Sequence, residues 1–180
     1  DQVAVLLAVE LCSLTVQTED FSIPNMIATG LFGDGAAAVC LEGKARQRPQ
    51  RAPRILANRS AFYYNTERIM GWDIGSDGFK IVLDASVPTV AREMLPADVD
   101  LFLKDHKLSR KDIATWVCHP GGPKVLDAMA EGLGLEKSAL NVTWKSLESV
   151  GNLSSASVLF VLADTIAECP GEPGEYGLIL

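Results

Sequence analysis

The strongest constraint on this chain comes from its two ends. "VAVLLAVEL" begins at Val3 as a continuous apolar run of strand length, and "EYGLIL" ends the chain inside another. A strand that is apolar at successive positions offers water neither face, so it reads as buried on both sides, as in sheets covered by helices. No polar tail flanks either run. The expectation is therefore a piece of a longer polypeptide, with about as much again upstream.

Between the ends, strand and helix patterns alternate. Strands are expected at 36–42, at 54–64 ("RILANRSAFYY"), at 79–84 ("FKIVLD") and in "TWVCH" at 115–119. A helix should open near Pro88 with Val87, Val90, Met94 and Leu95, and Pro96 should kink or interrupt it. A second helix covers 122–133, with Val125, Leu126, Met129 and Leu133 on one face. A third covers 153–168 and is apolar almost all round, hence internal. Buried strands mixed with buried helices give a layered α/β architecture, with residues 1–180 as one domain.

Charge and composition remove several classes of function. The formal net charge of −7 and a pI near 4.8 argue against nucleic acid as a partner. One basic run, "GKARQRPQRAPR" at 43–54, reads as a solvated loop joining two strands, with a phosphate-binding patch that a CoA tail could use as the alternative. No apolar run reaches the length of a membrane span, and the acidic N-terminal stretch does not read as a signal peptide. The four cysteines form no C-x-x-C pair, so no metal site is expected. Cys12, Cys40 and Cys118 lie in apolar runs and read as reduced, buried thiols.

Three short motifs carry possible chemistry. "TWVCHPGGPKVLDAM" sets Cys118 beside His119. On a strand, adjacent side chains face apart, so the two cannot act as nucleophile and base within one chain. His119 stands where strand turns to helix, the place at which open α/β sheets put ligands. "SVGNLSSAS" offers Asn152 as an N-cap, followed by a run of small residues. Two helix N-termini, one behind His119 and one at Asn152, each bring a neutral side-chain N–H donor suited to a developing oxyanion. The third motif, "FGDGAAA", matches a loose dinucleotide fingerprint. It follows a helical pattern and leaves no room for the required helix, so its glycines should instead shape a turn holding Phe32 and Asp34.

Taken in order, "LFGDGAAAV", "HPGGPKVLDA" and "GNLSSASVLF" resemble the C-terminal half of the type III polyketide synthases, the chalcone and stilbene synthase family, with a thiolase-like fold. The segment "MGWDIGSDGFKIVL" is similar to bacterial members. The resemblance implies a Cys–His–Asn site in which His119 and Asn152 stabilise the enolate formed by decarboxylating malonyl-CoA. The cysteine that accepts the acyl group would lie upstream, since none of the four here matches it. It further implies Phe32 and Phe79 as gatekeepers, and Cys12, Thr15, Gly71 and Ser154 as cavity positions. Gly121 and Lys124 would lie against CoA. Acyl-CoA and malonyl-CoA would be the substrates, with no cofactor, and long-chain starters giving alkylpyrones or alkylresorcinols are one option. The setting would be cytoplasmic, and the full-length enzyme a homodimer. A ketoacyl-ACP synthase III type of condensing enzyme and a non-catalytic thiolase-fold binding or assembly domain are the alternatives.

Overall fold

The computed structural model describes residues 2–46, 52–76 and 78–180. Part of the basic run 43–54 lies outside them. The elements run β1 (Val3–Glu10), α1 (Ile23–Leu31), β2 (Gly35–Glu42), β3 (Met70–Gly75), β4 (Gly78–Leu83), α2 (Val87–Glu93), α3 (Leu95–Asp105), β5 (Ile113–Val117), α4 (Pro123–Leu133), α5 (Asn141–Val150), α6 (Ser157–Glu168) and β6 (Tyr176–Ile179). Short 3-10 turns sit at Cys12–Thr15 and Ser154–Ala156, among others. β1 pairs antiparallel with β2, β3 antiparallel with β4, and β5 parallel with β6. This is the mixed α/β architecture expected.

The main core lies where α3, α4 and the β5–β6 pair meet. Leu103, Trp116, Leu126, Met129, Leu133 and Leu178 are its larger members. Pro88 and Pro96 each stand in a first helical turn, and the break at Met94 between α2 and α3 is the interruption expected of Pro96. α4 ends on Gly134 at φ +66, with Leu135 N–H bonded to Ala130 O and Gly134 N–H to Glu131 O, the paired bonds of a Schellman stop. Arg110 locks the corner. Its guanidinium donates twice to Asp100, at 2.6 and 2.7 Å, and once to the Gly132 carbonyl at 3.2 Å.

Four expectations are corrected. Residues 54–64 form no strand. That segment is held against α3 by side chains, through an Arg59–Asp105 ion pair at 2.8 Å and a Tyr63–Asp98 hydrogen bond. β1 is present but not buried: Val5, Leu7 and Val9 are at least 60% exposed, because only β2 pairs with it among the described residues. α6 begins at Ser157, and only Ser157, Val161 and Thr165 are buried, so one stripe of it is covered. Cys40 is exposed and Cys12 half-buried; only Cys118 and its apolar surroundings match the buried thiol.

The contact between α2 and α4 is close enough to test. A β-carbon on Gly132 would stand 2.5 Å from the Arg92 carbonyl oxygen and 3.0 Å from the Pro96 side chain. Gly→Ala within a helix ordinarily stabilises by about 0.5–1 kcal/mol. Here Gly132→Ala is expected to destabilise by roughly 1–3 kcal/mol, because the helices must separate. Urea denaturation measures the sign, and a gain in stability would show that Gly132 does not set this spacing.

Candidate active site

The three motifs converge on one another. The "HPGGP" loop leaves β5, and its first residues prolong the parallel ladder: Leu180 N–H donates to Val117 O at 2.9 Å, and His119 N–H to Leu180 O at 2.8 Å. The backbone of His119 is thereby fixed by Leu180, the residue that follows β6. Pro120 is fully buried, and Gly121 N–H turns back to His119 O at 2.9 Å. Gly122, at φ +143, then caps α4, whose first residue is Pro123.

The "GNLSS" loop joins α5 to α6. Gly151 holds φ +74, and a β-carbon on it would come within 3.0 Å of the Leu31 carbonyl oxygen. That approach lets Asn152 N–H donate to Leu31 O and Gly33 N–H donate to Asn152 O, both at 2.9 Å. The result is an isolated parallel bridge between Phe32 and Asn152. The glycines of "FGDG" have a related task. A β-carbon on Gly35 would meet Leu153 at 2.8 Å, so they make room for Leu153 as well as shaping the turn. Leu31 also lies against the third loop, its Cδ2 3.3 Å from where a β-carbon of Gly122 would stand.

Asn152 is 1% exposed. Its side-chain oxygen accepts Ser154 N–H at 2.9 Å and the Ser157 hydroxyl at 3.4 Å. It therefore bonds the first residue of the 3-10 turn, whose N-cap position is Leu153, and is not the N-cap of α6, which corrects the N-cap expectation. Its Nδ2 donates to the Gly121 carbonyl at 3.3 Å, tying the two loops together. An amide carries two such hydrogens, and the second has no acceptor among the described residues. His119 is half-buried, and burial pushes its imidazole below its ordinary range, which keeps it neutral at neutral pH. Both side chains thus lie against Gly121, Asn152 on its carbonyl and His119 with its Cδ2 3.5 Å from where a β-carbon would stand.

A cavity of about 210 Å³ opens next to them. Cys12, Thr15, Phe32, Gly71 and Ser154 line it, so five of the six residues expected around substrate share one space. The sixth, Phe79, stands outside the lining and packs edge-on against Trp72, which does line it, with ring centres 6.0 Å apart. His119 and Asn152 are not lining residues either; Phe32 and Ser154 connect Asn152 to the cavity. Ser154 holds φ +53, a left-handed conformation costly for a residue with a side chain and a feature of functional sites. Lys124 lies exposed on the first turn of α4, while Gly121 faces Asn152 through its carbonyl.

Sequence reasoning missed Glu10, Asn25 and Trp72 in the lining. Glu10 ends β1 and accepts the Ser155 hydroxyl. Asn25 is buried and donates to the Gln17 and Asp20 carbonyls at 2.9 and 2.6 Å. A polar residue within the helical pattern "NMIATG" was the available signal for Asn25. Among the described residues no cluster of His, Cys, Asp or Glu could hold a metal ion, and no helix is long and apolar enough to cross a membrane.

Residues 55–177 match the family model for chalcone and stilbene synthases, C-terminal domain. The whole chain is 51% identical to a 1,3,6,8-tetrahydroxynaphthalene synthase of Streptomyces peucetius subsp. caesius, covering 48% of it. It is 41% identical to a putative chalcone synthase of Bacillus subtilis over 97% of this chain and 49% of that one. The crystal structure of 1,3,6,8-tetrahydroxynaphthalene synthase from Streptomyces coelicolor, a bacterial type III polyketide synthase, superposes with a TM-score of 0.88 at 31% identity, over 97% of this chain and 49% of that one. The chain spans about half the length of the curated relatives it matches.

Cys118 is fully buried, and burial pushes its thiol up to about 12. In the native chain at mild alkaline pH it should resist iodoacetamide while exposed Cys40 and Cys169 are alkylated. Peptide mass spectrometry reads the order. Early modification of Cys118 would reopen it as a nucleophile beside His119.

Proposed function

The chain belongs to the chalcone and stilbene synthase family, and from that premise we propose that it forms the C-terminal half of a type III polyketide synthase. The complete enzyme is an acyltransferase that condenses malonyl-CoA onto an acyl-CoA starter. The observation that carries this reading is the spare amide hydrogen of buried Asn152, tied to the loop that carries a neutral His119.

The chemistry follows from those donors. The carbon–carbon bond to the carboxylate of malonyl-CoA breaks, CO2 leaves, and the electron pair passes into a thioester enolate. His119 and Asn152 hydrogen-bond the enolate oxygen as its charge develops, where such donors contribute most. The enolate carbon attacks the carbonyl of an acyl group held on a cysteine, and the cysteine leaves as a thiolate. No cofactor is required. The thiols described near this site are poorly suited to that nucleophilic role. Burial, then Glu10 and Asp34, raises the Cys12 thiol, and Cys118 is raised further. The nucleophile is assigned to an N-terminal half of the same enzyme. That half would also cover the exposed apolar face of β1, and the assembled protein would act as a cytoplasmic homodimer.

Phe32 and Phe79 gate the passage between CoA and cavity, with Gly121 and Lys124 toward the CoA arm. Cys12, Thr15, Gly71 and Ser154 shape the space for the growing chain. A long-chain starter would yield an alkylpyrone or alkylresorcinol. The tetrahydroxynaphthalene synthases among the relatives favour a compact hydroxylated aromatic product instead.

In the complete enzyme, His119→Ala and Asn152→Ala should each lower malonyl-CoA decarboxylation by about 100-fold or more, with circular dichroism unchanged. Radiolabelled CO2 release measures it. Near-normal release from both variants would overturn the assignment.

A further inference from the structure

The cavity wall at Cys12–Thr15 is a single 3-10 turn, closed locally by Leu14 N–H to Leu11 O at 3.0 Å and by the Thr15 hydroxyl to Cys12 O at 2.8 Å. Its side-chain caps are absent, and the bond at its far end, Val16 N–H to Ser13 O, is long at 3.5 Å. The anchor that places the turn against the rest of the site comes from another part of the chain. The Asp34 carboxylate takes both donors of Ser13, the backbone N–H at 2.7 Å on one oxygen and the hydroxyl at 2.6 Å on the other. These two bonds hold its carboxyl below the usual carboxylate range, so it is ionised at neutral pH. Asp34 immediately follows Gly33, whose N–H is bonded to Asn152 O, and lies two residues from Phe32 in the bridge. The Asp34 side chain therefore connects the cavity wall to the segment that positions Asn152, beyond the end of the β1–β2 ladder at Glu10 and Gly35.

We propose that Asp34 is a specificity-setting positioning residue: by gripping Ser13 it holds the Cys12–Thr15 wall in register with Phe32 and Asn152, and so fixes the length of acyl or polyketide chain the cavity accepts. Asp34 is exposed and absent from the cavity lining, so it acts through the wall and does not touch substrate. In a space of about 210 Å³, a small displacement of one wall changes what fits. The inference rests on the polyketide synthase reading above.

The test compares wild type, Asp34→Ala, Asp34→Asn and Ser13→Ala in the complete enzyme. Products are resolved by chain length, KM is measured across a series of acyl-CoA starters, and CO2 release from malonyl-CoA is followed in parallel. Asp34→Ala should change the ratio of product lengths, or the KM ranking of starters, at least fivefold, and by more than it changes CO2 release. Ser13→Ala, which removes one of the two bonds, should move the same way by a smaller factor. Asp34→Asn should restore the wild-type distribution, because its amide can accept from the Ser13 N–H and donate to the Ser13 hydroxyl. If Asp34→Ala fails to fold, Ser13→Ala decides alone. Unchanged product lengths and KM ranking in the folded variants, or an equal loss in every step, would overturn the proposal while leaving the polyketide synthase reading in place. A wild-type enzyme that releases no CO2 would remove that reading and this inference with it.

Discussion

The pair of backbone hydrogen bonds between Asn152 and the Leu31–Gly33 segment is the interaction on which the rest of the site depends. It joins the end of α1 to the start of the 3-10 turn before α6, elements far apart in sequence. Asn152 is buried, so an unpaired amide or carbonyl there would cost about 1–3 kcal/mol. The structure satisfies the backbone through the bridge and the side chain through Ser154, Ser157 and Gly121. Only after that accounting is one donor hydrogen left over, on a residue held by five partners. A preorganised donor of this kind needs no rearrangement as charge develops, which is the condition for strong oxyanion stabilisation.

Glycine is what permits the three loops to interlock. Leu31 presses on Gly122 with its side chain and on Gly151 with its carbonyl, and Leu153 fills the space over Gly35. Any larger residue at these contacts would push the loops apart. The same compaction explains why His119, whose own backbone is held by Leu180 after β6, ends one short loop away from Asn152.

Much of this was legible in the sequence. His119 and Asn152 stood out because Pro and Gly beside them punctuate element boundaries: His119 occupies the junction between β5 and α4, and Asn152 the junction between α5 and α6. Cys12, Thr15, Phe32, Gly71 and Ser154 were placed by resemblance and do line one cavity. The sequence could not show that "FGDG" is the strut between the other two motifs, because its function lies in contacts with distant residues. The segment 54–64 looked like a strand because its apolar and aromatic residues suit one. Its backbone finds no ladder, and side chains such as Arg59 and Tyr63 anchor it instead. β1 shows the limit of burial inferred from pattern. The strand forms, but the surface that would cover both its faces is not supplied by the described residues. The start of α6 was misjudged because Asn152 spends its capping oxygen on Ser154, which inserts a turn before the helix.

Amide hydrogen exchange read by NMR on this chain tests the central claim most directly. The Asn152 and Gly33 amides, each donating across the bridge, should exchange as slowly as core amides of β5 and α4. Leu153 N–H, bonded inside the loop to the Ser157 hydroxyl at 2.6 Å, offers a local comparison. Exchange of the Asn152 and Gly33 amides at rates near those of an unfolded peptide would contradict the account. The segment that positions Asn152 would then be unanchored.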